Sequence, residues 1–381
     1  MVQHPVPASA YIHIPFCAAK CGYCDFNSYA GKLGLVERYV EALVKQIRTR
    51  TDASQPLETV YFGGGTPSIL TASQLQKILQ SLVDTFGLEE DAEVSLEANP
   101  ESVLPEKLAR LREAGFNRIS IGAQSFDDEL LVKLGRVHTH EKFLQSLESA
   151  RLAGFENISF DLMFALPGQS LENVRETMER AVELGADHIS AYCLTLEEGT
   201  GFFELSENGL LETPDEDLQA EMFLATREVL TGAGYEHYEI SNYALTGKRC
   251  RHNMVYWQNL PYRGYGTGAV EYVNGYRTKW ETSPESYVLQ METLGHPSIE
   301  FSERLEGDQW LGETAMLALR TKDGMSLTEL SGRIGHDVEQ IYRKELARLD
   351  EAGVLERSES HVRLTERGLL VANEALSLFL R

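Results

Sequence analysis

The chain has 381 residues, 35 Lys and Arg against 58 Asp and Glu, a formal charge of −23 and 43% hydrophobic residues. So acidic a surface repels phosphate backbones and sets nucleic acid aside as a bulk partner, and no apolar run approaches the roughly 18 residues of a membrane span. Length and composition allow one large core plus a smaller domain.

Taken in order, Met1 to Ala10 has no basic region followed by an apolar stretch and does not read as a signal peptide. With five cysteines, an odd and clustered set, the expected compartment is a reducing one, the cytoplasm. Tyr11 to Phe16 alternates like a strand and feeds Cys17-Ala18-Ala19-Lys20-Cys21-Gly22-Tyr23-Cys24, three thiols within eight residues. Thiolates at this spacing converge on one inorganic centre. A fully ligated iron–sulfur cube takes four cysteines. Here the position two after Cys24 is Phe26, so one iron would stay open to a small molecule. Zinc held by the same thiolates with His13 or Asp25 is the alternative. A disulfide framework suits a small secreted chain better.

Leu35 to Ile47 has helical spacing. Short β-rich runs then alternate with amphipathic stretches at Gln74 to Val83, Pro105 to Ala114, His140 to Ala153 and Leu171 to Leu184. With Gly64, Glu97, Gln124, Asp161 and Cys193 as strand ends, the steps are 33, 27, 37 and 32 residues, each about one strand and one helix. The predicted fold is α/β: six strands in an incomplete parallel (β/α)6 barrel. Barrel ligands gather at the C-terminal strand ends. Gly63-Gly64-Gly65-Thr66-Pro67-Ser68, Glu97, Gln124 and Asp161 lie there, and Arg136 follows shortly after Gln124. We read them, with the cysteines, as one mouth. Cys193, in the sixth strand, is expected in the core.

Beyond the barrel, Pro214 to Leu230 reads as a helix and Tyr235 to Ile240 as a strand. Ser241 to Tyr276 is rich in glycine and aromatics, and irregular structure is expected. His252 sits there among Tyr243, Arg249, Arg251, Tyr256 and Trp257, a set able to ligate haem iron, pack on a macrocycle and meet propionates. The alternatives are a hydrogen-bonded structural histidine and, for the nearby Cys250, an inert thiol. After Ser302 the chain turns helical, and Leu327 to Leu355 with His361 to Leu364 resembles a winged helix. Residues 321–381 hold nine Lys and Arg against eleven Asp and Glu, so packing or docking is expected of this unit rather than DNA binding. The expected division is 1–212 for the barrel, 213–300 for an α+β linking region and 301–381 for the winged-helix-like end.

Tyr11, the three cysteines, Gly-Gly-Gly-Thr-Pro-Ser and Glu97-Ala98-Asn99-Pro100, in this order and spacing, resemble the radical S-adenosylmethionine (SAM) superfamily. The closer resemblance, from about residue 9 onward, is to the branch of oxygen-independent coproporphyrinogen oxidases and HemW-type haem chaperones. It implies a 4Fe–4S cluster on Cys17, Cys21 and Cys24, its open iron chelated by SAM. It assigns Tyr11, Gly64 and Glu97 to that SAM, and Tyr23, Gly65, Thr66, Gln124, Arg136 and Asp161 to a second one, as in the oxidases. Those oxidases carry a further cysteine where Phe26 stands, whereas His252-Asn253-Met254-Val255-Tyr256-Trp257 matches the chaperones' His-Asn-x-x-Tyr-Trp motif. The family often has His-Ser where this chain has Val270-Glu271, so no role of that histidine carries over. The resemblance thus implies a haem chaperone, with His252 as haem ligand and haem-accepting proteins as partners, a membrane acceptor being met by peripheral docking. The alternative is a radical SAM decarboxylase acting on coproporphyrinogen III. A transcriptional sensor is a third and weaker reading.

Overall fold

A computed structural model describes residues 5–49 and 55–380; the first four residues of the Met1–Ala10 segment lie outside them. In chain order the barrel half comprises β1 (Ser9–Ile14), α1 (Val36–Arg48), β2 (Leu57–Gly64), α2 (Ala72–Phe86), β3 (Leu88–Ala98), α3 (Pro105–Glu113), β4 (Arg118–Gln124), α4 (Asp128–Lys133), α5 (His140–Leu152), β5 (Ile158–Phe164), α6 (Leu171–Glu183) and β6 (His188–Cys193). There follow α7 (Gly201–Glu207), α8 (Glu216–Gly232), β7 (Glu236–Glu239), β8 (Asn242–Ala244), α9 (Arg251–Trp257), β9 (Arg263–Tyr265), β10 (Val270–Val273), β11 (Tyr276–Trp280), α10 (Pro284–Thr293), β12 (Ile299–Arg304) and α11 (Gly307–Leu319).

The expected βα units are present, and their helices start where the caps say. Thr71 and Gln74 close a capping box on α2, and Ser170 and Asn173 do the same on α6. The six strands lie parallel in sequence order, but the sheet is larger than predicted: nine strands in the order β9-β1-β2-β3-β4-β5-β6-β8-β7. β9 adds a seventh parallel strand beside β1, and β8 runs antiparallel to β6. The two ends of the sheet do not pair, so the barrel is incomplete.

Its two faces differ. On β4, Ile119, Ile121 and Ala123 are fully buried in the main core against the helix layer, while Arg118, Ser120, Gly122 and Gln124 line the barrel interior. The same two-residue alternation puts Ser95 and Glu97 inward on β3, with Asp161 on β5 and Ser190 and Tyr192 on β6. Parallel barrels usually fill this space with branched aliphatics. Here it is polar and partly open.

Three expectations need correction. Ser241 to Tyr276 is not irregular: it forms β8, α9, β9 and β10, because its glycines serve close strand crossings. A Cβ on Gly264 would lie 2.0 Å from the Val270 carbonyl oxygen. The helical end begins later than Ser302, since β12 runs to Arg304 and pairs with β11; the terminal core gathers Leu305, Trp310 and the helices after them, joined by Tyr272 of β10. Cys193 is not fully in the core: it is half-buried, packed against the main core on one side and lining the mouth on the other. The terminal unit itself has short helices followed by a hairpin, Leu355–Arg357 with His361–Leu364, as a winged helix does. Among the described residues no helix is long and apolar enough to cross a membrane.

Candidate functional site

β1 delivers Cys17 to the mouth, and the loop after it is held at both ends. Tyr29 N–H donates to Pro15 O (2.7 Å), and the Asn27 amide donates to the carbonyls of Thr267 and Thr282 (3.2 Å each), tying the thiol loop to the second region. Each thiol has a polar neighbour. Thr66 Oγ1 donates to Cys17 Sγ (3.5 Å), Arg136 Nη1 to Cys21 Sγ (3.6 Å), and Ser28 Oγ lies 4.0 Å from Cys24 Sγ. Burial pushes the Cys24 thiol up, and Cys21 and Cys17 add to the shift. A bound cation would reverse this. Gly65 packs under the loop, where a Cβ would meet Phe16 O at 2.9 Å and Cys17 Sγ at 3.0 Å.

Above this loop opens a cavity of about 310 Å³ lined by Cys17, Cys21, Cys24, Tyr23, Gly64, Gly65, Thr66, Glu97, Gln124, Arg136 and Asp161. The structure therefore brings together every predicted position except Tyr11 and His252. Glu97 accepts hydrogen bonds from the Tyr61 hydroxyl (2.8 Å) and Gly64 N–H (3.1 Å). Burial, helped by Asp161, pushes its carboxyl up to about 7. Gly64 has φ +116°, and a Cβ there would strike the His13 ring at 2.6 Å, so only glycine fits. Arg136 Nη2 donates to Asn99 Oδ1 (2.8 Å) and Gly122 O (3.1 Å). Gln124 sits at a register shift with φ +61°, a strained conformation that turns its side chain into the mouth.

Tyr11 lines a second cavity, also about 310 Å³, together with Phe26, Tyr256 and Tyr262; Gly64 and Glu97 border both. His13 Nε2–H donates to Asn27 O (2.9 Å), so the Tyr11 hydroxyl donates to Nδ1 (3.1 Å) and keeps its oxygen lone pairs for another donor.

His252 departs from the expectation. Its ring is fully buried and lines neither cavity. Nδ1 lies 2.7 Å from Thr59 Oγ1, which itself donates to Ser9, so Nδ1 carries the proton and Nε2 accepts from the Tyr256 hydroxyl (2.8 Å). Burial, with Arg118 nearby, lowers its pKa to about 3. The ring stacks on Tyr61 at 5.2 Å. Both ring nitrogens are engaged, so iron ligation by this ring would require it to leave the Thr59 and Tyr256 hydroxyls. Cys250 is equally enclosed: its thiol donates to Glu93 (3.6 Å), and burial holds its pKa up at about 12.

Sequence reasoning missed Asn99, Arg118, Ser120, Tyr192 and Asn253, all of which line the mouth. The β-strand alternation through Gln124 and Glu97 contained the signal for the first three. Nothing in the sequence showed that the helix carrying His252 would present Asn253 instead.

Three thiolates with a glycine floor fit the cube with one open iron. Among the described residues no three His, Cys, Asp or Glu side chains stand close enough to share one ion.

The Radical SAM superfamily matches residues 11–181, and the HemN C-terminal domain matches residues 305–371. The chain is 40% identical to the heme chaperone HemW of Bacillus subtilis over 98% of its own length and 99% of that protein's. It is 36% identical to the heme chaperone HemW of Escherichia coli over the full length of both. The solved structure of the Escherichia coli coproporphyrinogen III oxidase HemN, a radical SAM enzyme, superposes with a TM-score of 0.85 at 22% identity, covering 98% of this chain and 90% of that one. That likeness shows the fold.

Proposed function

This chain belongs to the radical SAM superfamily, in its HemW-type branch, and from that premise we propose that it is a haem chaperone: it binds haem and passes it to acceptor proteins. The observation that carries the reading is the end-to-end identity with two proteins named for that role, joined to a three-thiol mouth with Phe26 where the oxidases have a fourth cysteine. On this reading Cys17, Cys21 and Cys24 hold a 4Fe–4S cluster. Tyr11, Gly64 and Glu97 take the SAM bound to it. When bound, the pair supplies an electron-transfer centre with one coordination position closed by an organic ligand.

The chain's own residues do the rest. Ionised Glu97 receives the SAM ammonium, and Tyr11 lines the adjoining cavity that Glu97 also borders. The Gly64–Gly65 backbone lets a ligand approach without side-chain collision. Tyr23, Thr66, Gln124, Arg136 and Asp161 stand ready for a second carboxylate- and ribose-bearing ligand, for which Arg136 supplies a planar donor pair. We place the protein in the cytoplasm on its clustered, unpaired thiols. Division at residues 212 and 300 remains our proposal for its domains.

The deciding experiment is anaerobic reconstitution with iron and sulfide, followed by titration with haem and, separately, with SAM plus coproporphyrinogen. Haem uptake without turnover supports the chaperone. Decarboxylated product would establish the oxidase reading instead, and a zinc-loaded or metal-free purified protein would overturn both.

A further inference from the structure

One buried guanidinium in the barrel is left with an unpaired donor, although the charge of Glu93 acts on it from nearby. Arg118 is 2% exposed, its Nε has no hydrogen-bond partner, and it lines the same cavity as the three thiols. A buried guanidinium is costly unless an anion meets it. None of the carboxylates around it accepts from its Nε, each being held by other donors. Glu93 accepts from the backbone N–H groups of Arg251 and His252 and from the Cys250 thiol. Glu97 accepts from Tyr61 and Gly64, and Asp161 Oδ1 from Ser120.

The register shows where the cation stands. Arg118 pairs with Ser95, and Ser95 with Tyr61, so the three share one row across the sheet. Glu97 pairs with Ser120, forming the next inward-facing row toward the mouth. Arg118 is therefore one layer below the Glu97 carboxylate, at the floor of the cavity. Asn253, on α9, lines the same cavity and brings an amide to it.

We propose that Arg118 and Asn253 form a subsite for a carboxylate group of the ligand held in the mouth. This rests on the reading of the mouth given above as a ligand site. A guanidinium meets a carboxylate through two parallel N–H donors, and an amide N–H adds a third. Two ligands of that reading bring a free carboxylate: haem, through a propionate arm, and the second SAM, whose amino-acid end is not on the iron.

Affinity measured in matched pairs tests the idea. Haem is compared with haem dimethyl ester on the purified chain, and SAM with decarboxylated SAM on the reconstituted one, for wild type, Arg118→Gln, Arg118→Lys and Asn253→Asp. Arg118→Gln should weaken one acid by on the order of tenfold or more and leave its carboxylate-free counterpart within about twofold; Arg118→Lys should recover part of the loss. Asn253→Asp keeps Arg118 but supplies a competing carboxylate from the protein, so it should show the same selective loss even if Arg118→Gln does not fold. The pair that responds identifies the source of the carboxylate. If every variant changes both members of both pairs equally, Arg118 only offsets Glu93 and the subsite is refuted. Should the wild type not bind haem, the chaperone reading falls while the SAM pair still tests Arg118.

Discussion

Gly65→Ala isolates the support under the thiol loop. Gly65 is not in the left-handed region, so alanine brings no backbone penalty there; the whole effect is steric. The new methyl would lie 2.9 Å from Phe16 O, 3.0 Å from Cys17 Sγ and 3.0 Å from Pro15 C. Ordinary carbon contacts are about 3.5–4.0 Å. Two of these neighbours are backbone at the end of β1, pinned by the Gly65 N–H to Ile14 O bond (2.8 Å) and the Thr66 N–H to Phe16 O bond (2.8 Å). The loop must move by roughly half an ångström or more, and Cys17 with it, at the ~1–3 kcal/mol typical of overpacking. The expected result is a folded chain with a modestly lowered thermal midpoint and a large loss of iron and sulfide after anaerobic reconstitution. A full iron complement with an unchanged midpoint would refute the placement of Cys17 against this glycine. Gly232→Ala is the control: no atom lies within 4 Å of its new methyl.

That control is itself a prediction, since alanine at this α8 position should stabilise by about 0.5–1 kcal/mol, read from denaturant unfolding. SAM affinity should rise with pH through about 7, because burial and Asp161 keep the Glu97 carboxyl protonated below that point. Binding at lower pH should release a proton, detectable by calorimetry in buffers of different ionisation heat; an affinity flat across this range would exclude Glu97 as the ammonium's partner. His252→Phe should leave the Thr59 and Tyr256 hydroxyls short of a partner and cost about 1–3 kcal/mol. The folded ring stays neutral down to about pH 3, so it contributes stability that is fully present above its ordinary value and lost as pH falls. The variant should therefore shed about 1.4 kcal/mol of acid destabilisation per pH unit below about 6.5. Titrated with haem, it should keep the wild-type visible spectrum, whereas a changed spectrum in a folded variant would restore His252 as a ligand.

The sequence carried the barrel because its signals are local. The barrel helices after α1 each open on a capping side chain or a proline, so a step of about thirty residues reads directly as a βα unit. It carried the thiol loop for the same reason. What it could not carry was depth. Arg118, Ser120 and Gln124 differ in the sequence only by two-residue steps, yet the structure sets them at the floor, middle and rim of one cavity. The enclosure of His252 escaped the sequence for a related reason. The helix that holds this histidine docks on β2 and β3 through Thr59 and Glu93, contacts 193 and 159 residues away in the chain, and no local pattern foretells which side chain such a helix turns inward. Composition suggested an open histidine among aromatics. Docking instead makes that ring a bolt behind Tyr61 and gives Asn253 the view of the ligand. The aromatic cluster is then best understood as the back wall that fixes Tyr61, and through Tyr61 the carboxylate of Glu97, at the mouth of the barrel.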